Sequence, residues 1–130
     1  MGLKNEDGKI ELAFNEARQL MVVDVLGTLD ECRFTFGGVH VSKEIARQFY
    51  KKTVWYSDLE QAKKEAEAKG IADWKSLVKS PPPKLDPKLK KIISDMYMAV
   101  ANQMSGKSLF EAPKLATVID VYKEYMGEKA

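Results

Sequence analysis

Lys9-Ile10-Glu11-Leu12-Ala13-Phe14, then Asn15-Glu16-Ala17-Arg18-Gln19, then Leu20-Met21-Val22-Val23-Asp24-Val25-Leu26, is the stretch on which the fold turns. Ile10, Leu12 and Phe14 alternate with Lys9, Glu11 and Ala13, and a period of two puts alternate side chains on opposite faces of a strand. Residues 15–19 are polar and turn-like. Leu20 to Leu26 is apolar except for Asp24, the pattern of a well-buried second strand. The expectation is a β-hairpin ended by Gly27-Thr28. Gly37-Gly38 then opens another turn, with Val39-His40-Val41 as a short extended piece.

Downstream of the hairpin the periodicity becomes helical. Ser42 suits the N-cap of a helix over Lys43 to about Lys52. Ser57 and Glu60 have capping-box spacing for a second helix reaching Lys69 and closed by Gly70; its charge run reads as a solvated face. Ser80-Pro81-Pro82-Pro83 cannot continue a helix and is expected to be an extended connector. Asp86-Pro87 forms an N-cap and first-turn pair. Leu89, Ile92, Ile93, Met96, Tyr97, Val100 and Met104 then recur on one face until Gly106. Pro113 starts the last helix, with Leu115, Val118, Ile119, Tyr122 and Met126 inward.

Strands first and helices after define an α+β plan: a β-hairpin or small antiparallel sheet followed by four or so α-helices. One strand pair is too little sheet to stand alone. Either the helices cover it, or it completes a sheet supplied by another chain or segment. With 130 residues, the chain is expected to form one domain, 1–130, because either side of the Pro81–Pro83 connector is too small to hold its own core.

The chain is 45% hydrophobic and 31% charged, with a net charge of +2. So small a basic excess argues against nucleic-acid binding driven by counterion release. No apolar run approaches the length needed to cross a bilayer, and Met1 to Asp7 lacks the apolar stretch of a signal peptide. Cys32 is the single cysteine, which excludes an internal disulfide and fits a reducing cytoplasm.

The charges on the hairpin carry the chemical interest. Lys9 and Glu11 share a strand face, opposite Ile10, Leu12 and Phe14. Asp24 interrupts an apolar run, where a carboxylate needs a cation, a metal or several donors. The plain alternative is a solvated edge-strand residue beside a surface pair worth well under about 1 kcal/mol. Gly27 to Arg33 follows as a turn of short polar side chains ending in an arginine, which suits a phosphate or other oxyanion. Lys43 and Arg47, four apart near a helix start, add either to an anion site or simply to a charged surface. There is no GxxxxGK[ST] or GxGxxG, and His40 as the single histidine gives little support to a zinc site or a Ser-His-Asp triad.

Taken together, Asp7-Gly8-Lys9-Ile10-Glu11-Leu12, Met21-Val22-Val23-Asp24, Leu29-Asp30-Glu31-Cys32-Arg33-Phe34 and Val41-Ser42-Lys43-Glu44-Ile45-Ala46-Arg47-Gln48 resemble the phosphoribosylaminoimidazole-succinocarboxamide synthase (SAICAR synthetase) family. The family's corresponding motifs are D-x-K-x-E-F, V-D/G-D-E, S/T-P-D-x-x-R and D-K-x-x-x-R-Q. The Pro81–Pro83 connector, Ala101-Asn102 and Ser105-Gly106-Lys107 resemble the C-terminal part of its archaeal-type members. The resemblance departs at Val25, where an acidic residue is common, at Cys32, where serine is common, and at Phe34-Thr35. It implies a carbon–nitrogen ligase of de novo purine synthesis, joining L-aspartate to carboxyaminoimidazole ribonucleotide with ATP and Mg²⁺. On that basis Lys9, Asp24 and Arg33 would be catalytic, and Glu11 and Asp24 would bind the metal. Lys9, Glu11 and Asp24 would face the nucleotide. Arg33, Lys43, Arg47 and Asp30 would hold or frame the substrate. The family's N-terminal nucleotide lobe has no counterpart in this chain. The resemblance therefore implies a C-terminal portion, inefficient alone: a fragment, one product of a split gene that works with a separate lobe chain, or a relic. Sheet edges left exposed by the missing lobe make self-association an expectation as well. A non-catalytic binding or interaction domain that retains the fold is the alternative.

Overall fold

The computed structural model describes residues 2–128 and is α+β. These residues form two compact units, one comprising residues up to 45 and from 88 onward, the other residues 46–87.

The first unit begins with β1 (Leu3–Gly8), β2 (Leu12–Phe14), β3 (Leu20–Val22), β4 (Cys32–Phe36) and β5 (Val39–His40). The pairings are nested. β2 and β3 form the inner hairpin, and β1 pairs antiparallel with β4 outside it; β4 in turn pairs with β5. The expected hairpin is thus present, but β1 and its long-range partner β4 were not foreseen. Asn15 and Gln19 clamp the hairpin end: Gln19 N donates to Asn15 Oδ1 at 2.8 Å, and Asn15 Nδ2 donates to Gln19 Oε1 at 2.9 Å. Arg18 takes the left-handed conformation there (φ 61), as a three-residue hairpin loop requires, and its guanidinium lies over the Phe14 ring.

On β4, Cys32 and Phe34 are buried on one face while Arg33 is exposed on the other. The helices that complete this unit are α3 (Pro87–Ser105) and α4 (Leu115–Glu128), numbered after α1 and α2 below. α3 starts at Pro87, and Gly106 ends it with φ 66, both as expected. Leu89, Ile92, Met96, Ala99 and Val100 of α3 are buried, as are Leu115, Val118, Ile119 and Tyr125 of α4. Val41, Ile45 and Leu29 join this core. Met104 and Met126, expected inward, lie near the helix ends and are exposed.

α1 (Glu44–Lys51) begins where Ser42 Oγ accepts from Glu44 N at 3.4 Å, and it crosses the boundary between the units. In the second unit, α2 (Val54–Lys69) starts three residues before the expected Ser57 cap. Thr53 is in extended geometry, and its hydroxyl accepts from Tyr56 N at 3.3 Å. The apolar Val54-Trp55-Tyr56 segment is therefore helical, with Trp55 edge-on to Tyr50. Gly70 closes α2 in the left-handed conformation, with Ile71 N donating back to Ala66 O, as a Schellman motif does. The charge run is solvated: Lys63 pairs with Glu60 and Lys69 with Glu65. A short 3₁₀ turn, Trp74–Leu77, precedes the proline segment, which has no helix or strand.

Candidate functional site

Residues 9–11 and 23–31 separate the inner ladder from the outer one, and the hairpin charges gather at this break. Val23 N donates to Glu11 O at 3.0 Å, holding the two chain segments together just beyond β2 and β3. Lys9 Nζ donates to Glu11 Oε1 and stands 3.9 Å from Asp24 Oδ2. Asp24 Oδ1 accepts from Val25 N at 2.8 Å. The sequence thus places an ammonium between two carboxylates. Asp24 is the most shielded of the three, with 24% of its side chain exposed against 63% for Lys9 and 52% for Glu11. The Lys9 ammonium is held above its usual pKa, chiefly by the hydrogen bond to Glu11 and by that carboxylate's charge. Asp24 and Glu31 add to the effect, against a small cost of desolvation.

The turn behind this cluster is closed locally. Cys32 N donates to Thr28 O at 3.0 Å, Glu31 N donates to Thr28 Oγ1 at 3.3 Å, and Gly27 supplies a φ of +76 that a side chain would resist. Leu29 points into the core. Asp30 Oδ1 accepts from Tyr97 Oη of α3 at 2.8 Å. Arg33 lies directly across from Asp7, with Nη1 to Oδ2 at 3.3 Å. A register shift between Asn5 and Asp7 produces this pairing, leaving Glu6 as the extra residue of a bulge. Glu6 accepts from Thr35 Oγ1 at 2.8 Å and pairs with Lys4 at 3.0 Å.

The structure therefore brings Lys9, Glu11 and Asp24 together, pairs Arg33 with Asp7, and ties Asp30 to Tyr97. Lys43 precedes α1 in the first unit, while Arg47 lies on α1 in the second, so only Arg47 is on the helix they were expected to share. Asp7 and Tyr97 were missed as site residues. Asp7 was within reach, because it opens the same charged strand motif. Tyr97 gave no such signal, because its spacing is that of a core residue and its partner is far away in sequence. Cys32 is buried against Gly8, as suits a packing residue.

One reading of the hairpin is corrected. Its second strand was expected to be well buried. Leu20, Val22, Val23 and Val25 are each more than half exposed, as are Leu12 and Phe14 opposite. Nothing among the described residues covers the β2–β3 pair, so an apolar sequence pattern coexists with an open surface.

Among the described residues, no group of three or more His, Cys, Asp and Glu side chains could hold a metal ion. Glu11 and Asp24 are two carboxylates that flank Lys9 at the break. Mg²⁺ commonly takes one or two carboxylates and completes its shell with water and phosphate oxygens. The first unit also has a cleft of about 490 Å³ between the end of α3, the loop that follows and the start of α4, lined by Phe36, Asn102, Lys107, Ser108 and Lys114 among others. None of the predicted site residues lines it. No helix among the described residues is long and apolar enough to cross a membrane.

The fold is α+β, with charged side chains gathered at the break between its two ladders. Comparison with known proteins makes the relationship specific. The chain is 46% identical over 125 residues to an Archaeoglobus fulgidus protein with the provisional name phosphoribosylaminoimidazole-succinocarboxamide synthase, covering 96% of this chain and 36% of that one. It is 30% identical to the phosphoribosylaminoimidazole-succinocarboxamide synthase of Thermoplasma acidophilum and 29% to that of Thermoplasma volcanium, in each case over 82% of this chain and 35% of the relative. No family model and no solved structure matches. The chain spans about a third of the length of these relatives, and its similarity to the SAICAR synthetases fits the C-terminal portion inferred from the motifs.

Proposed function

We propose that this chain is the C-terminal portion of an ATP-dependent carbon–nitrogen ligase of de novo purine synthesis, acting in the cytoplasm. The reaction joins L-aspartate to carboxyaminoimidazole ribonucleotide. The observation that carries this reading is Lys9 set between Glu11 and Asp24 at the ladder break. Such a group handles phosphate and carboxylate chemistry when a ligand replaces one of the internal partners.

The substrate carboxylate is activated by phosphorylation, and the amine of aspartate then displaces phosphate. Lys9 faces the nucleotide phosphates and the substrate carboxylate, countering negative charge during transfer. Glu11 and Asp24 would hold Mg²⁺, which when bound would neutralise phosphate charge. Arg33 releases Asp7 and grips a substrate phosphate or carboxylate through its planar fork. Asp30 frames the turn that leads to Arg33. Lys43 and Arg47 extend the anionic pocket. A complementary lobe supplies the remaining nucleotide contacts, so the chain alone turns over poorly.

Calorimetry with ATP–Mg²⁺, the ribonucleotide and aspartate tests this reading, with and without a supplied N-terminal lobe. Binding is expected to weaken at least about tenfold in Lys9→Ala, Asp24→Asn and Arg33→Ala, which corresponds to about 1.4 kcal/mol or more. Unchanged binding in all three variants overturns the assignment. Rapid steady turnover by the chain alone overturns its dependence on a complementary lobe.

A further inference from the structure

The exposed apolar hairpin calls for an explanation that no ligand provides. From the register, Leu12 lies opposite Val22 and Phe14 opposite Leu20, so these four side chains share one face. Each is more than half exposed. Met21 belongs to the other face, and Ile10, Val23, Val25 and Leu26 continue the apolar surface beyond the two strands. Nine large apolar residues, each about half exposed along one ribbon, form the kind of patch that marks a protein–protein contact site. Charged residues rim the patch: Lys9, Glu11 and Asp24 at one end, Arg18 at the other. An apolar centre with a polar rim is the anatomy of a protein–protein interface.

A two-stranded pair of this kind is marginal unless more sheet or a covering layer joins it. The relatives carry the matched stretch inside single chains nearly three times as long. We infer that the β2–β3 hairpin is a docking element, and that its partner is a polypeptide equivalent to the part of these relatives outside the matched stretch. The partner packs an apolar face on Leu12, Phe14, Leu20 and Val22. Glu11 lies just outside the β2–β3 ladder, at the site. A second copy of this chain is the competing occupant. It would supply none of the additional length that the relatives carry beside the matched stretch.

This inference deepens the functional reading by naming the surface that receives the complementary lobe, and it is tested without ligands. The full chain is co-expressed with a tagged segment of the Archaeoglobus fulgidus relative comprising the residues outside the match. Light scattering is expected to show a one-to-one complex. Leu12→Lys with Phe14→Lys, on an already exposed surface, should weaken the complex at least tenfold while leaving the circular dichroism of the chain unchanged. Val54→Lys, exposed on α2, should leave it intact. In a second format the segment is fused ahead of the full chain. Hydrogen exchange at 12–14 and 20–22 should then slow at least tenfold relative to the chain alone. Unchanged exchange in the fusion, a complex indifferent to the lysine pair, or self-association of the isolated chain that the pair abolishes each overturns the inference. A complex that forms yet binds no nucleotide preserves the docking surface and removes the ligase reading.

Discussion

Tyr97 Oη donates a hydrogen bond to Asp30 Oδ1 at 2.8 Å, fastening the turn that leads into Arg33 to the middle of α3. The bond spans 67 residues of sequence, so the site's framework depends on packing between the sheet and the helix pair. Burial, and then Asp30, push the Tyr97 hydroxyl above its ordinary pKa of 10.0. A raised folded-state pKa gives stability that is complete below pH 10 and lost as the pH climbs through the folded-state value. Tyr97→Phe is expected to cost about 1 kcal/mol at neutral pH and to flatten the alkaline decline of stability. Urea unfolding from about pH 8 to 11 measures both effects. An equally steep decline in the variant would assign the alkaline sensitivity to another group.

Glu6 provides an acid-side counterpart. Its carboxyl is held below the usual value of 4.5, first by the Thr35 hydroxyl and then by Lys4. A lowered pKa contributes stability above the unfolded value, and that contribution disappears as the pH falls through the folded one. Thr35→Val should move the Glu6 midpoint upward toward 4.5 in an NMR titration. A midpoint that stays in place means that Lys4, not the bulge hydrogen bond, holds the carboxylate.

Gly8 and Cys32 make a steric pair at the end of the outer ladder. A Cβ added at Gly8 would lie 2.7 Å from Cys32 Sγ, which is buried. Gly8→Ala is therefore expected to destabilise by about 1–3 kcal/mol through overpacking. Cys32→Ala in the same chain should recover much of that loss, giving a clear coupling in a double-mutant cycle. Additive effects would mean that the alanine is accommodated by backbone movement instead.

The start of α2 separates two candidate caps. Thr53 makes the capping bond and Ser57 lies inside the helix. Thr53→Ala should cost about 1 kcal/mol, while Ser57→Ala should stay within about 0.5 kcal/mol of the native protein. Denaturation followed by tryptophan fluorescence reads the difference, since Trp55 sits in the first turn.

What was legible in the sequence was local. The hairpin, the Asp86-Pro87 helix start and the Gly70 and Gly106 stops all follow from contacts within a few residues, and they hold. The same holds for Lys9 with Glu11, two apart on one chain segment. Pairing of β1 with β4 was hidden, because Leu3 to Gly8 has no apolar alternation and is specified by its partner strand and the Glu6 bulge. Capping of α2 by Thr53 was hidden because valine and aromatics are weak helix formers, and tertiary contact with Tyr50 outweighs that preference. The exposure of Leu20 to Leu26 was hidden for another reason: an apolar pattern shows that a surface needs cover without showing which polypeptide provides it.

The nesting of the two ladders also bears on the order of events in folding. To join Gly8 to Cys32 in an open coil, the chain must close a loop made of residues 9–31. Once β2 has found β3, only 9–11 and 23–31 remain free, and the entropy of closure falls accordingly. Hairpins form within microseconds, well before most long-range pairing. The β2–β3 pair, which adds little to the finished core, thus shortens the loop that the outer ladder, from Gly8–Cys32 to Leu3–Phe36, has to close.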